Sequence, residues 1–284
     1  MKPTLAAIIA LITAVISLST ASGQTLTVKV SDTLLSLNQK WVEAYKAKHP
    51  TAEIRVTGEG TAATFATLAE KKADLVVVSR AIHFKEAQAC EAAFGRRPVE
   101  GKVAVSGLAV YVNTNNPVKV LNYDELYDIF HGESKNWKVL ASGKDQAISV
   151  YAQATNSVHG ELFNEEVLSG RGFSAGVHLL AGQDVIKAVA TDPNGIGFGA
   201  LTLAEGVQTL SIKRAYSSTP VIPDADNISR RIYPISRFVF SYINPAANPE
   251  EIKAYLDWIH SDEGQQVAKE AGFYALPANL HQSQ

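Results

Sequence analysis

The apolar positions along this chain change period repeatedly, and the changes mark out alternating strands and helices. Leu26–Val30 reads as a strand. Leu34, Leu37, Trp41, Val42 and Tyr45 then recur at helical spacing, which predicts an amphipathic helix that stops before Pro50. Residues 53–57 alternate as a strand, 62–71 read as a helix, and Leu75–Val78 is a continuous apolar run of the kind found in a buried parallel strand. The middle of the chain repeats the pattern. Residues 103–112 read as one strand, 123–130 as a short helix leading to Trp137, 148–151 as a strand, 157–168 and 184–190 as helices, and Gly195–Gly199 as a turn into a strand. Residues 217–226, rich in Pro and Ser, predict a surface loop; 238–243 predict a strand, and 249–259 and 261–271 two closing helices. This alternation predicts an α/β protein. Neither an internal repeat nor a low-complexity tract follows the N-terminus.

The N-terminus carries a different signal. Lys2, the apolar run from Leu5 to Leu18 and the small residues Ser19-Thr20-Ala21-Ser22-Gly23 form the three regions of a secretory signal peptide. Cleavage is expected near Ala21 or Gly23, giving a mature chain in an exported compartment, most simply a bacterial periplasm. No cysteine lies nearby for a lipid anchor, and no later segment is long and apolar enough to span a membrane. The sole cysteine, Cys90, rules out an internal disulfide and reads as a small buried hydrophobe in a helix. Without residues 1–23 the chain keeps 25 basic and 28 acidic side chains. Such a balance, with no Lys/Arg run, gives no reason to expect a nucleic-acid partner. About 260 residues can bury a large core, in one domain or two lobes.

Four short polar segments fall where strands are predicted to end: Ser31-Asp32-Thr33, Gly58-Glu59-Gly60-Thr61, Ser79-Arg80 and Asn156-Ser157. Each is read as the start of a helix. Helix starts offer unpaired backbone N–H groups and a positive dipole end, so several converging would cage a small oxyanion. Each segment also has a bland reading. Ser, Asp, Thr and Asn are ordinary N-caps, a single Gly-x-Gly is an ordinary turn, and Arg80 is either a bidentate anion contact or a solvated loop charge. Their coincidence at strand ends, where ligands of open α/β sheets sit, favours the anion reading. His83, His131, His159 and His178 lack the paired spacing of a zinc site. No nucleophile elbow, P-loop or zinc-protease motif is present, so neither a catalytic residue nor a metal or cofactor is expected.

Taken in order, Ser31-Asp32-Thr33-Leu34 with Trp41–Tyr45, Val56–Thr61, Ala73–Arg80, Ala109–Asn113 with Asn116-Pro117, Leu126–Gly132 with Asn136-Trp137, Asn194–Phe198 and Tyr233-Pro234 resemble the phosphate-binding proteins of ABC importers, the PstS-like periplasmic receptors. The match covers nearly the whole mature chain. The resemblance implies two α/β lobes joined by a two-strand hinge, with a ligand cleft between them. It implies lobe one at 24–108 and 236–284, lobe two at 109–235, and crossings near 106–111 and 233–238. The ligand would be inorganic phosphate or a similar oxyanion, the partner an inner-membrane ABC permease or sensor, and the state a monomer. The binding residues would be Ser31, Asp32, Thr33, Gly60, Thr61, Ser79 and Arg80 from lobe one and Asn156, Ser157 and His159 from lobe two. Asp32 or Glu59 would accept the proton of monohydrogen phosphate.

The fourth segment departs from the family. An arginine followed by Asn-Ser-Gly-Thr is usual there; this chain has Gln153 and then Asn156-Ser157-Val158-His159. Loss of one charge-assisted bond costs about 1.5–3 kcal/mol, roughly one to two decades of affinity. Three outcomes stay open: phosphate bound through the intact half, a different anion met by His159 as a pH-dependent donor, or the fold reused for a partner-binding or sensing role. An exported hydrolase is a more distant alternative.

Overall fold

A computed structural model describes residues 25–280 apart from 141 and 248; the expected signal peptide lies outside the described residues. In chain order the elements are β1 (Leu26–Ser31), α1 (Leu35–Lys48), β2 (Ile54–Glu59), α2 (Thr61–Ala69), β3 (Leu75–Val78), α3 (Phe84–Phe94), β4 (Val99–Gly107), β5 (Ala109–Asn113), β6 (Val120–Asn122), α4 (Tyr123–His131), β7 (Ser149–Ala152), α5 (Val158–Glu166), β8 (His178–Leu179), α6 (Gly182–Thr191), β9 (Gly195–Gly199), β10 (Val207–Thr209), β11 (Ser211–Lys213), α7 (Ala225–Ser229), β12 (Ser236–Ile243), α8 (Pro249–His260) and α9 (Asp262–Glu270).

Two five-stranded sheets organise these elements, one ordered β2-β1-β3-β12-β4 and the other β10-β5-β9-β7-β8, with β6 and β11 forming a separate pair. In the first sheet β1 runs parallel to both β2 and β3, so the carboxyl ends of all three lie along one edge. Helices cover both faces. Leu37, Trp41 and Tyr45 of α1 bury one stripe against Val28, Val30 and the α8 residues Tyr255 and Ile259, while Phe65 and Leu68 of α2 pack with Cys90 of α3 on the opposite face. That two-sided cover explains why β3, Leu-Val-Val-Val, has no polar alternation and is buried throughout. In the second sheet Val110, Ile196 and Phe198 pack on Phe130 and Phe163, and the Phe163 and Phe198 rings stack at 4.3 Å.

The apolar run at 103–112 predicts one strand, and the structure makes it two. β4 belongs to the first sheet and β5 to the second, with buried Leu108 between them. Burial in both sheets leaves no alternating period on either side of Ser106-Gly107, so periodicity does not show the switch. The return crossing is beside it: Ser236 at the start of β12 pairs with Gly107, and the Leu108 amide donates to the Ile235 carbonyl at 3.3 Å. Close approach here requires glycine, because a Cβ on Gly107 would lie 2.3 Å from Ile228 Cγ2. Short β6, β8, β10 and β11 have too few residues to register as periodic.

Candidate anion-binding site

Parallel pairing gathers the lobe-one hydroxyls. Ser31 closes β1, Thr61 opens α2 after Gly60, and Ser79 follows β3. Ser31 Oγ lies 2.8 Å from Thr61 Oγ1, Thr61 Oγ1 lies 3.4 Å from Ser79 Oγ, and the Ser79 amide donates to Ser31 Oγ at 3.4 Å. Ser79 is not at a helix start, however. α3 begins at Phe84 with His83 as its cap, so this segment contributes a hydroxyl and an amide without a helix dipole.

These hydroxyls meet a carboxylate from the other half of the molecule. Glu161, in the first turn of α5, accepts a hydrogen bond from Thr33 Oγ1 at 2.6 Å and one from Ser79 Oγ at 2.9 Å, on different oxygens. Arg237 Nη2 of β12 lies 3.4 Å from the oxygen that Thr33 contacts, and Arg237 Nη1 pairs with Glu165 one turn further along α5. The Arg237 side chain is only 7% exposed. Its Nε is buried and has no hydrogen-bond partner among the described residues.

Arg80 is turned elsewhere. It grips Glu86 through two bonds of 2.8 and 2.7 Å and lies over the Phe65 ring at 5.2 Å. The hydrogen bond it donates to Glu86 holds the Arg80 guanidinium above its ordinary pKa. Burial alone would raise Glu86, but bonds from Arg80 and the His83 amide outweigh it and leave the carboxylate below its usual range.

The lobe-two segment takes a different position. Ser157 caps α5: its Oγ accepts from the Gly160 amide at 3.0 Å and donates to the Ala154 carbonyl at 2.8 Å. Asp32, Asn156, Ser157 and His159 line an open cavity of about 400 Å³, with Thr33 on its border. Apart from Arg80, the predicted residues therefore form two groups, one around Glu161 and one around this cavity, and Thr33 joins them. His159 Nδ1 is 3.4 Å from Gln153 Nε2, and burial pushes the imidazole pKa down to about 4, so the ring is neutral near pH 7. Val158 packs against the core cluster containing Leu34 and Phe273, making an apolar contact with the first sheet's half. Among the described residues no group of His, Cys, Asp and Glu has the makings of a metal site.

Glu161 and Arg237 are the site residues that sequence reasoning missed. Both left a trace. Glu161 lies one helical turn after Ser157, on the side of the helix that begins at the cleft. Arg237 is a charge inside the otherwise apolar strand Ser-Arg-Phe-Val-Phe, where an arginine needs a partner.

Two sheets linked by a double crossing, with strand-end hydroxyls of one half facing a helix start of the other, define a two-lobed solute-binding protein. The PBP superfamily domain model matches residues 17–263. Phosphate-binding protein PstS of Pseudomonas aeruginosa is 32% identical over 267 residues, covering 88% of this chain and 82% of that one. Protein SphX of Synechococcus elongatus is 28% identical, covering 88% and 77%. The crystal structure of a possible phosphate binding protein from Planctomyces limnophilus superposes with a TM-score of 0.79 at 25% identity, covering 91% of this chain and 95% of that one. An ABC-type phosphate transport receptor from Vibrio cholerae shares the fold at a TM-score of 0.73, covering 89% and 100%. The chain belongs to the PBP superfamily, among its PstS-like members.

Proposed function

We propose that the protein is an exported solute-binding protein that takes phosphate or a similar small oxyanion between its lobes without transforming it, and presents it to an inner-membrane ABC permease. The observation that carries this reading is the convergence of Thr33 and Ser79, backed by Ser31 and Thr61, on one oxyanionic group: these hydroxyls already coordinate a carboxylate. The names of the relatives support phosphate as the ligand. Lobe one is assigned to 24–108 and 236–284, lobe two to 109–235, and residues 1–23 to a removed signal peptide. The working unit is a monomer.

In this reading Thr33, Thr61 and Ser79 donate to the ligand and Gly60 keeps the α2 backbone open to close approach, while the charge of Arg80 is taken up by Glu86. Asp32, Asn156, Ser157 and His159 line the entrance. Neutral His159 offers one N–H and no charge. Thermal shift on protein stripped of bound anion by unfolding and refolding tests the proposal, with phosphate, arsenate, sulfate and molybdate compared. Stabilisation by phosphate or another of these anions supports it. No shift with any of them favours reuse of the fold for a non-transport partner, a reading for which the departures at Gln153 and Val158 speak.

A further inference from the structure

We propose that Glu161 is a tethered competitor for the oxyanion: its carboxylate fills the seat made by Thr33, Ser79 and Arg237, and a bound ligand must displace it. The inference rests on the oxyanion-receptor reading above and adds how the site is regulated and which cation serves it. Three observations carry it. First, the carboxylate divides its oxygens as a ligand would, one to Thr33 with Arg237 beside it and one to Ser79. A second anion cannot use the same donors while Glu161 holds them, because like charges at that separation repel strongly.

Second, Arg237 supplies a cation beside the hydroxyls. It arrives from the crossing strand β12 and is buried, and its Nε donor is still uncommitted among the described residues. Glu165 holds the other end of the guanidinium, so Arg237 stays oriented when Glu161 leaves.

Third, Val158, which opens α5, packs against the core of the first sheet's half, three residues before Glu161. A glycine there would make no such contact. The Val158 side chain therefore helps to hold the helix turn that carries Glu161 against the first sheet's half. The consequence is a receptor whose apparent affinity is reduced by the fraction of molecules in which Glu161 occupies the seat.

The test is titration calorimetry with inorganic phosphate on stripped wild-type protein, Glu161→Gln and Glu161→Ala, with melting temperatures recorded for all three. Glu161→Gln keeps the shape and removes the charge, and it carries the comparison if the alanine variant folds poorly. The expected result is phosphate binding roughly tenfold or more tighter in the variants than in wild type. Phosphate binding that is unchanged or weaker in the variants overturns the competitor role and leaves the receptor reading standing. Absence of phosphate binding in all three proteins overturns the competitor role, and absence of any shift with arsenate, sulfate and molybdate as well overturns the receptor reading. In wild-type crystals with phosphate, a Glu161 still bonded to Thr33 and Ser79 would also overturn it.

Discussion

Thr33 and Glu161 are 128 positions apart in sequence, yet the Thr33 hydroxyl donates to the Glu161 carboxylate at 2.6 Å, joining the end of one sheet to the helix start of the other half. The bond is charge-assisted, and Ser79 makes a parallel one at 2.9 Å. These contacts place two hydroxyls on one carboxylate, the arrangement from which the proposed oxyanion site is inferred. Substituting Ser79 or Thr61 by alanine removes one donor or its support. Each change is expected to weaken phosphate binding by about 0.5–1.5 kcal/mol, several-fold in Kd, with the fold kept. Calorimetry on the purified variants checks this.

Arg237 is the buried cation beside Glu161. Arg237→Met keeps an unbranched apolar stem but leaves Glu161, whose side chain is 16% exposed, without its charged partner. Breaking such a buried pair is expected to cost about 3 kcal/mol of stability. Chemical denaturation measures that loss. Phosphate affinity should fall with it by about one to two decades, the worth of a charge-assisted bond. Retained affinity in a folded Arg237→Met protein would assign charge neutralisation to Arg80 instead.

Gly160 tests how closely the start of α5 is placed. A Cβ there would lie 2.0 Å from the Ala154 carbonyl oxygen and 2.6 Å from its carbon, both backbone atoms that cannot swing aside. Gly160→Ala is expected to destabilise the protein by about 1–3 kcal/mol and to displace the turn that carries Glu161. A fall in melting temperature and a changed phosphate affinity are the readouts. An unchanged melting temperature would show that the Ser157 cap tolerates movement.

His159 gives a pH signature with a defined sign. Burial lowers its folded pKa from 6.5 to about 4. Between those values the unfolded chain takes up a proton that the folded chain refuses. The stability associated with the neutral ring is therefore complete above about pH 6.5 and is lost as pH falls toward 4, by up to about 3 kcal/mol. His159→Gln should flatten this part of the stability profile, measured by denaturant unfolding between pH 4 and 7. A slope that survives the substitution would place the effect on another group.

Much of this architecture is legible in the chain because burial writes itself into spacing. The α1 stripe and the unbroken apolar β3 follow from one-sided and two-sided cover, and the polar residues closing β1 and β3 mark the edge where the hydroxyls meet. The Val103–Val112 run hides a change of sheet, because both halves bury it equally. Ser79 misleads in another way: a polar residue after a strand looks the same whether a helix follows at once or four residues later. Glu161 and Arg237 are hidden for a third reason. Their meaning lies in a meeting of β12 and α5 with the ends of β1 and β3, and no local window contains it. Gln153 and His159 are visible in sequence beside the helix start, whereas Arg237 comes from a strand more than eighty residues after Gln153.

The most direct measurement is a crystal structure of the protein stripped of anion and then soaked with phosphate. Phosphate oxygens are expected within hydrogen-bonding distance of Thr33 and Ser79, with Arg237 at the ligand and the Glu161 carboxylate withdrawn from both hydroxyls. Phosphate bound away from this cluster, with Glu161 still seated on Thr33 and Ser79, would contradict it.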